Sequence, residues 1–122
     1  MWRYANPNPC RAEEPDCVVR AIAIATGKTW DEVHCELCRL SGKLCSMPSV
    51  NWVWGYYLEK LGYRKRMAEP MTTVREFGRK HPEGTYVAAT GSHAVCIRDG
   101  DHYDTWDSGD EVICCYWEKE KE

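Results

Sequence analysis

Apolar positions follow two periods along the chain, a helical one before Pro82 and a strand-like one after it. Val18, Ala21, Ile22 and Ala25 recur at i, i+3, i+4 and i+7, which predicts a short helix opened by Pro15-Asp16 and stopped by Gly27. Asp16 is expected to be its N-cap, its carboxylate accepting a backbone N–H of the first turn. The segment is apolar nearly all round and is expected to be buried. Thr29-Trp30-Asp31-Glu32 has capping-box spacing and opens a second helix, with Trp30, Val33, Leu37 and Leu40 on its inner face and Ser41-Gly42-Lys43 at its end. A third helix is predicted over 49–61, with Trp54, Tyr57, Leu58 and Leu61 on one stripe and Gly62 as its stop. Thr73-Val74-Arg75-Glu76 repeats the capping box, and Pro82 bounds the helix that follows. Upstream, Asn6-Pro7-Asn8-Pro9 is held extended, because a residue before proline is pushed out of the helical region. Residues 1–15 read as an irregular lead-in.

Beyond Pro82 the segments 85–90, 93–97, 102–106 and 112–117 read as strands. Asp99-Gly100 is a hairpin dipeptide between the second and third, and Ser108-Gly109-Asp110 makes a further turn. Helices followed by hairpin-linked strands predict an α+β fold, with N-terminal helices packed on a C-terminal antiparallel sheet. The helix at 16–26 is expected to lie buried against the sheet of residues 85–117. No internal repeat or low-complexity tract is visible, and residues 1–122 read as one domain.

Composition narrows the function classes. The net charge of −3 and a pI near 5.8 argue against nucleic acid as a partner, because phosphate contacts need a basic face. Arg64-Lys65-Arg66 is too short to change that and reads as a solvated loop after a helix; the tail 118–122 reads as frayed. Six Trp and seven Tyr point to a core rich in aromatic area. The start, Met1-Trp2-Arg3-Tyr4, has no apolar run behind it, and no stretch reaches the length of a membrane span. A soluble cytoplasmic protein without a membrane partner is therefore expected. In a reducing cytosol its eight cysteines should be thiols, metal ligands or nucleophiles rather than disulfides.

Cys17 falls in the first turn of the buried helix, where free N–H groups and the helix dipole favour a thiolate, the reactive form of cysteine. His93 opens a predicted strand, and Asp104 follows on the next strand across the Asp99-Gly100 turn. An aspartate there can accept the His93 ring N–H, fixing its tautomer and stabilising the imidazolium. Cys17, His93 and Asp104 thus form a nucleophile, base and orienting set. Asp107 competes with Asp104, which is preferred because Asp107 enters the Ser108-Gly109 turn, where aspartate serves local needs. Arg20, one helical turn beyond Cys17, is open to two readings: a charge beside the thiolate or a substrate carboxylate, or a buried arginine paired with an aspartate or a carbonyl. Cys35, Cys38 and Cys45, with His34 or Cys10 as a fourth ligand, have the makings of a zinc cluster. But Cys35 and Cys38 lie on a predicted helix without a second CxxC, so they read as thiols and neither metal nor cofactor is expected. Cys114 and Cys115 should point to opposite faces of a strand.

Asp16-Cys17-Val18-Val19-Arg20-Ala21 resembles the nucleophile helix of the papain-like cysteine peptidases, most closely the Asp-Cys pattern of the branch that processes bacteriocin leaders. His93-Ala94-Val95 is similar to that family's histidine strand, and Asp104-Thr105-Trp106 to the segment carrying its orienting residue. The wider pattern, from Asn-Pro-Asn-Pro to Asp-Thr-Trp-Asp-Ser-Gly, also resembles small proteins of bacteria and their phages. The resemblance runs from about residue 6 to residue 117. It implies a papain-like fold, a peptide or protein substrate, and a Trp106 that shields the His93–Asp104 pair. Such enzymes usually place a glutamine before the nucleophile as an oxyanion-hole donor, and this chain contains no glutamine. The Cys17 backbone N–H can give one donor; Asn8, Asn6 and Arg11 are candidates for the second. Two functions are consistent with these residues: a cysteine hydrolase of peptide or isopeptide bonds working through a thioester, and a binding module on the same fold, such as a phage protein that blocks a host factor.

Overall fold

The structure is a computed structural model that describes residues 1–11 and 15–119. The elements in chain order are β1 (Trp2–Tyr4), α1 (Cys17–Thr26), α2 (Trp30–Lys43), α3 (Asn51–Lys60), β2 (Tyr63–Met67), α4 (Val74–Lys80), β3 (Thr85–Ala89), β4 (Ala94–Arg98), β5 (Asp101–Asp104) and β6 (Cys115–Lys119). The strands form one sheet in the order β1-β5-β4-β3-β6-β2. The fold is α+β, as the change of period predicts. The sheet is mixed rather than purely antiparallel, because β1 runs parallel to β5 with Trp2 opposite His102 and Tyr4 opposite Asp104.

Local chemistry explains most element ends. Thr29 and Glu32 form a reciprocal capping box, with both hydrogen bonds at 3.1 Å. At α4 the Thr73 hydroxyl oxygen accepts the Glu76 N–H at 3.2 Å, while its proton goes to the Glu76 carboxylate rather than completing a box. Gly27 closes α1 in the left-handed conformation that glycine adopts without a Cβ penalty. Asp99 and Gly100 both have positive φ, 50° and 87°, as a two-residue turn of type I′ requires. That turn packs so closely on α4 that a Cβ at Gly78 would lie 2.4 Å from the Gly100 carbonyl oxygen.

The sheet carries a core on each face. On one, α1, α2 and α3 bury Ile22, Val33, Leu37, Trp54 and Leu58 against Val87, Ala89, Cys96 and Trp117. On the other, Val74 and Phe77 of α4 pack with Ala88, Val95, Ile97 and Ile113. Consecutive residues of β3 and β4 thus serve opposite cores, which is why these strands read as continuous apolar runs. The helix at 16–26 does lie against the strands of 85–117, and the two strands before residue 70 occupy the sheet's outer edges.

Four sequence expectations need correction. The lead-in contains a strand, β1, although no residue of it is buried. Arg64-Lys65-Arg66 is the middle of edge strand β2 rather than a loop, paired through Arg64 with Glu118 and Lys65 with Trp117. Charged side chains on an outer strand are a common guard against edge-to-edge association. Glu118 and Lys119, expected to fray, end β6; residues 120–122 lie outside the described residues. The strand expected at 112–117 starts only at Cys115, with Val112 making an isolated bridge to Thr73. Among the described residues no helix is long and apolar enough to cross a membrane.

Candidate active site

Cys17 is the first residue of α1, so its sulfur sits at the helix N-terminus, half-buried against the sheet. His93 immediately precedes β4, and Asp104 ends β5. The antiparallel register of these strands, Cys96 opposite Tyr103 and Ile97 opposite His102, brings both residues to one end of the sheet. His93 Nε2 lies 2.5 Å from Asp104 Oδ2. The ring's other nitrogen, Nδ1, is not engaged by Asp104, and Cys17 lies near enough for it and His93 to shift each other's ionisation. Trp106 lies over the His93 ring with centroids 4.9 Å apart. The three residues singled out from the sequence therefore form one contiguous chain of contacts.

Their electrostatics favour a thiolate–imidazolium pair. Burial pushes the Cys17 thiol up, but the neighbouring His93 imidazole, the Ala94 backbone N–H and the Arg20 charge outweigh it and hold the thiol below its ordinary value. Burial likewise pulls His93 down, yet the hydrogen bonds from Asp104 and Cys17 and their charges raise it from 6.5 to about 9. The buried core thiol Cys96 shows the contrast: burial without a cationic partner of that kind pushes it up to about 12.

Asp104 is held from all sides. Oδ2 accepts the Ser108 hydroxyl at 2.8 Å as well as His93, and Oδ1 accepts the Thr105 N–H at 2.8 Å and Arg20 Nη2 at 3.3 Å. Its backbone carbonyl accepts Trp2 Nε1 at 3.2 Å and the Ala5 N–H at 3.0 Å, so β1 is a strut for this residue. Burial opposes its ionisation, but His93, Ser108 and Thr105 together keep its carboxyl below 3.8. Asp107, the competitor, instead takes His102 Nε2 at 2.7 Å, Arg75 Nη2 at 3.1 Å and the Gly109 N–H at 3.0 Å.

Asp16 is not the side-chain cap expected from its position. Its Oδ1 pairs with Arg20, and its Oδ2 accepts Trp30 Nε1 at 2.9 Å and Asn8 Nδ2 at 3.2 Å. Partners one helical turn away and on two other segments outcompete the local N–H groups. Arg20 is thus a buried arginine paired with two aspartates and, at the same time, a charge beside Cys17.

A half-open cleft of about 580 Å³ lies over the sulfur, lined by Tyr4, Asn6, Arg11, Pro15, Arg20, Ser92, His93, Thr105 and Trp106. Two of the three candidate oxyanion donors, Asn6 and Arg11, reach it. Asn8 does not: it is buried, its amide N–H is given to Asp16, and its carbonyl accepts the Cys10 N–H at 2.9 Å. Asn6 Oδ1 accepts the Asn8 N–H at 3.1 Å, which orients its amide. Sequence reasoning missed Ser108, Tyr4 and Ser92. Ser108 lies in a turn where serine is ordinary, and its only possible signal was its spacing of four from Asp104.

The remaining cysteines are all free thiols among the described residues. Cys114 is exposed and Cys115 buried, but Cys114 lies just before β6, so the two are not alternate positions of one strand as the sequence suggests. Of the zinc candidates, His34 Nε2 lies 3.7 Å from Cys38 Sγ, but among the described residues no three metal-ligating side chains converge. Comparison with protein-family models, curated proteins and solved structures returns no match for the chain.

Proposed function

We propose that the protein is a papain-like cysteine hydrolase that cleaves a peptide or isopeptide bond. The observation that carries this reading is the Cys17–His93–Asp104 chain of contacts, with the sulfur at a helix N-terminus and at the floor of an open cleft. Its order, with Asp104 on Nε2 of the ring and Cys17 beside the same ring, is what supports nucleophilic catalysis through an imidazole.

In this mechanism the Cys17 thiolate attacks the substrate carbonyl carbon, and the carbonyl oxygen takes up the negative charge. The Cys17 backbone N–H and the Asn6 amide are the donors for that oxyanion; Arg11 lines the same cleft at its exposed side. His93 then gives its proton to the departing amine, leaving a thioester. Water attacks the thioester as His93 takes one of its protons, and release of the carboxylate restores the pair. Asp104 stays ionised throughout and holds the ring. Trp106 covers the ring and limits water access to the His93–Asp104 bond.

Iodoacetamide at pH 6 tests the reading. An ordinary thiol of pKa about 8.5 is then almost wholly protonated, so an activated Cys17 should react about tenfold or more ahead of the other seven cysteines. His93→Ala should abolish that lead by removing the cation. Equal labelling of all accessible cysteines, unaffected by His93→Ala, would make Cys17 a core thiol and the protein a binding module.

A further inference from the structure

Arg20 is 7% exposed, a costly place for a charge unless its partners are well aimed. Its guanidinium reaches two carboxylates on different parts of the fold, Asp16 before α1 and Asp104 at the end of β5. Asp16 in turn accepts a hydrogen bond from the Asn8 side-chain amide, and the Asn8 backbone N–H donates to the Asn6 side-chain oxygen Oδ1. We propose that Arg20 is a positioning residue that ties both Asp104 and the segment carrying Asn6 to the helix bearing Cys17. The inference rests on the hydrolase reading above.

The geometry distinguishes a brace from an ordinary buried ion pair. An ion pair that only stabilises a fold can be replaced by apolar groups with little consequence for chemistry. Arg20 sits instead at a branch point: one nitrogen serves the residue that orients the base, and another serves the carboxylate that orders the oxyanion segment. Arginine's planar fork suits two acceptors at once, whereas a lysine ammonium is a single point on a flexible stem. Arg20 also lines the cleft itself. The groups acting on the Cys17 sulfur are His93, the Ala94 N–H and Arg20, and the cleft adds Arg11 and Tyr4. Arg20 is thus a fixed cation near the thiolate, balanced by the two aspartates that it holds.

The test is the pH profile of Cys17 alkylation between pH 4 and 9 in the full chain, with folding checked by circular dichroism. Arg20→Gln should slow labelling at pH 6 about tenfold and move the acid limb upward. Arg20→Lys should recover roughly half of that loss on a logarithmic scale, because it restores the charge but not the fork. Asp16→Asn discriminates further and covers the case in which Arg20→Gln does not fold. Removing an anion would speed labelling if only charge mattered; loss of the brace should slow it. A folded Arg20→Gln with the wild-type profile, or a faster Asp16→Asn, overturns the inference. A wild-type profile indifferent to His93→Ala would instead overturn the hydrolase reading, so the two failures are separable.

Discussion

Replacing Asp104 by Asn in a Cys17→Ala background should drop the His93 imidazole to 6.5 or below. Burial alone pulls this ring down, and the hydrogen bonds and charges of Asp104 and Cys17 lift it from 6.5 to about 9. Cys17→Ala by itself should leave it above 6.5, because Asp104 remains at 2.5 Å. The second substitution then leaves burial unopposed. The full rise of 2.5 units, 9 less 6.5, corresponds to about 3.4 kcal/mol of preference for the imidazolium. The cleft is half open, and solvent screening reduces that to about 2 kcal/mol shared between the two partners. Because the folded value is raised, this stabilisation is present below pH 6.5 and is lost as pH rises through about 9. Asp104→Asn should therefore cost about 1–2 kcal/mol more at pH 6 than at pH 10, on top of a pH-independent loss from Ser108, Thr105 and Arg20. The ring is followed by NMR through its Cε1–H, with the signal among the four histidines identified from His93→Ala. Urea denaturation at the two pH values gives the stability difference. A His93 titration unmoved by Asp104→Asn, or an equal stability cost at both pH values, would refute the coupling.

Trp30→Phe removes a hydrogen bond to the Asp16 carboxylate and should cost about 1.5–3 kcal/mol in urea unfolding, with slower Cys17 labelling at pH 6; unchanged stability would show that Asp16 is held without it. Gly55→Ala should lower stability by about 1–3 kcal/mol despite alanine's better helix propensity, because its Cβ would meet the buried Trp117 ring at 2.6 Å; a melting temperature equal to or above that of the wild type would contradict this. Elemental analysis of protein purified without added zinc should show well under one equivalent, and stoichiometric zinc lost on Cys35→Ser or Cys38→Ser would reverse that reading.

The legible parts of the chain are those whose stability is local or whose pattern is written in burial. The Thr29–Glu32 box, the stripe of α1 and the Asp99-Gly100 turn all carry their reasons within a few residues. The strands β1 and β2 do not. All three residues of β1 are exposed, and β2 buries only Tyr63, so neither has an alternation to read. They are strands because a neighbour offers unpaired backbone groups, and sequence does not announce a neighbour. The same limit applies at the site. Cys17, His93 and Asp104 could be ordered from residue type and the hairpin. The roles of Ser108, Trp30 and Asn8 depend on contacts across 4, 14 and 8 positions whose direction only the packing decides. Asp16 shows the competition most directly: its position favours capping, yet Arg20, Trp30 and Asn8 claim both of its oxygens.

That competition bears on the chemistry. Asp104 favours the imidazolium, but in the proposed hydrolase a negative charge near the sulfur would work against the thiolate that the imidazolium stabilises. Asp16, next to Cys17 in the chain, adds to the same problem. A free N-cap carboxylate would also take first-turn N–H groups of α1, the donors best placed for an oxyanion. Turning Asp16 onto Arg20 answers both difficulties. It leaves the N–H groups at the start of α1 without a carboxylate over them, and it sets a cation between the two anions and beside the sulfur. The Asp-Cys pair at the head of the helix is therefore intelligible only together with the arginine one turn later.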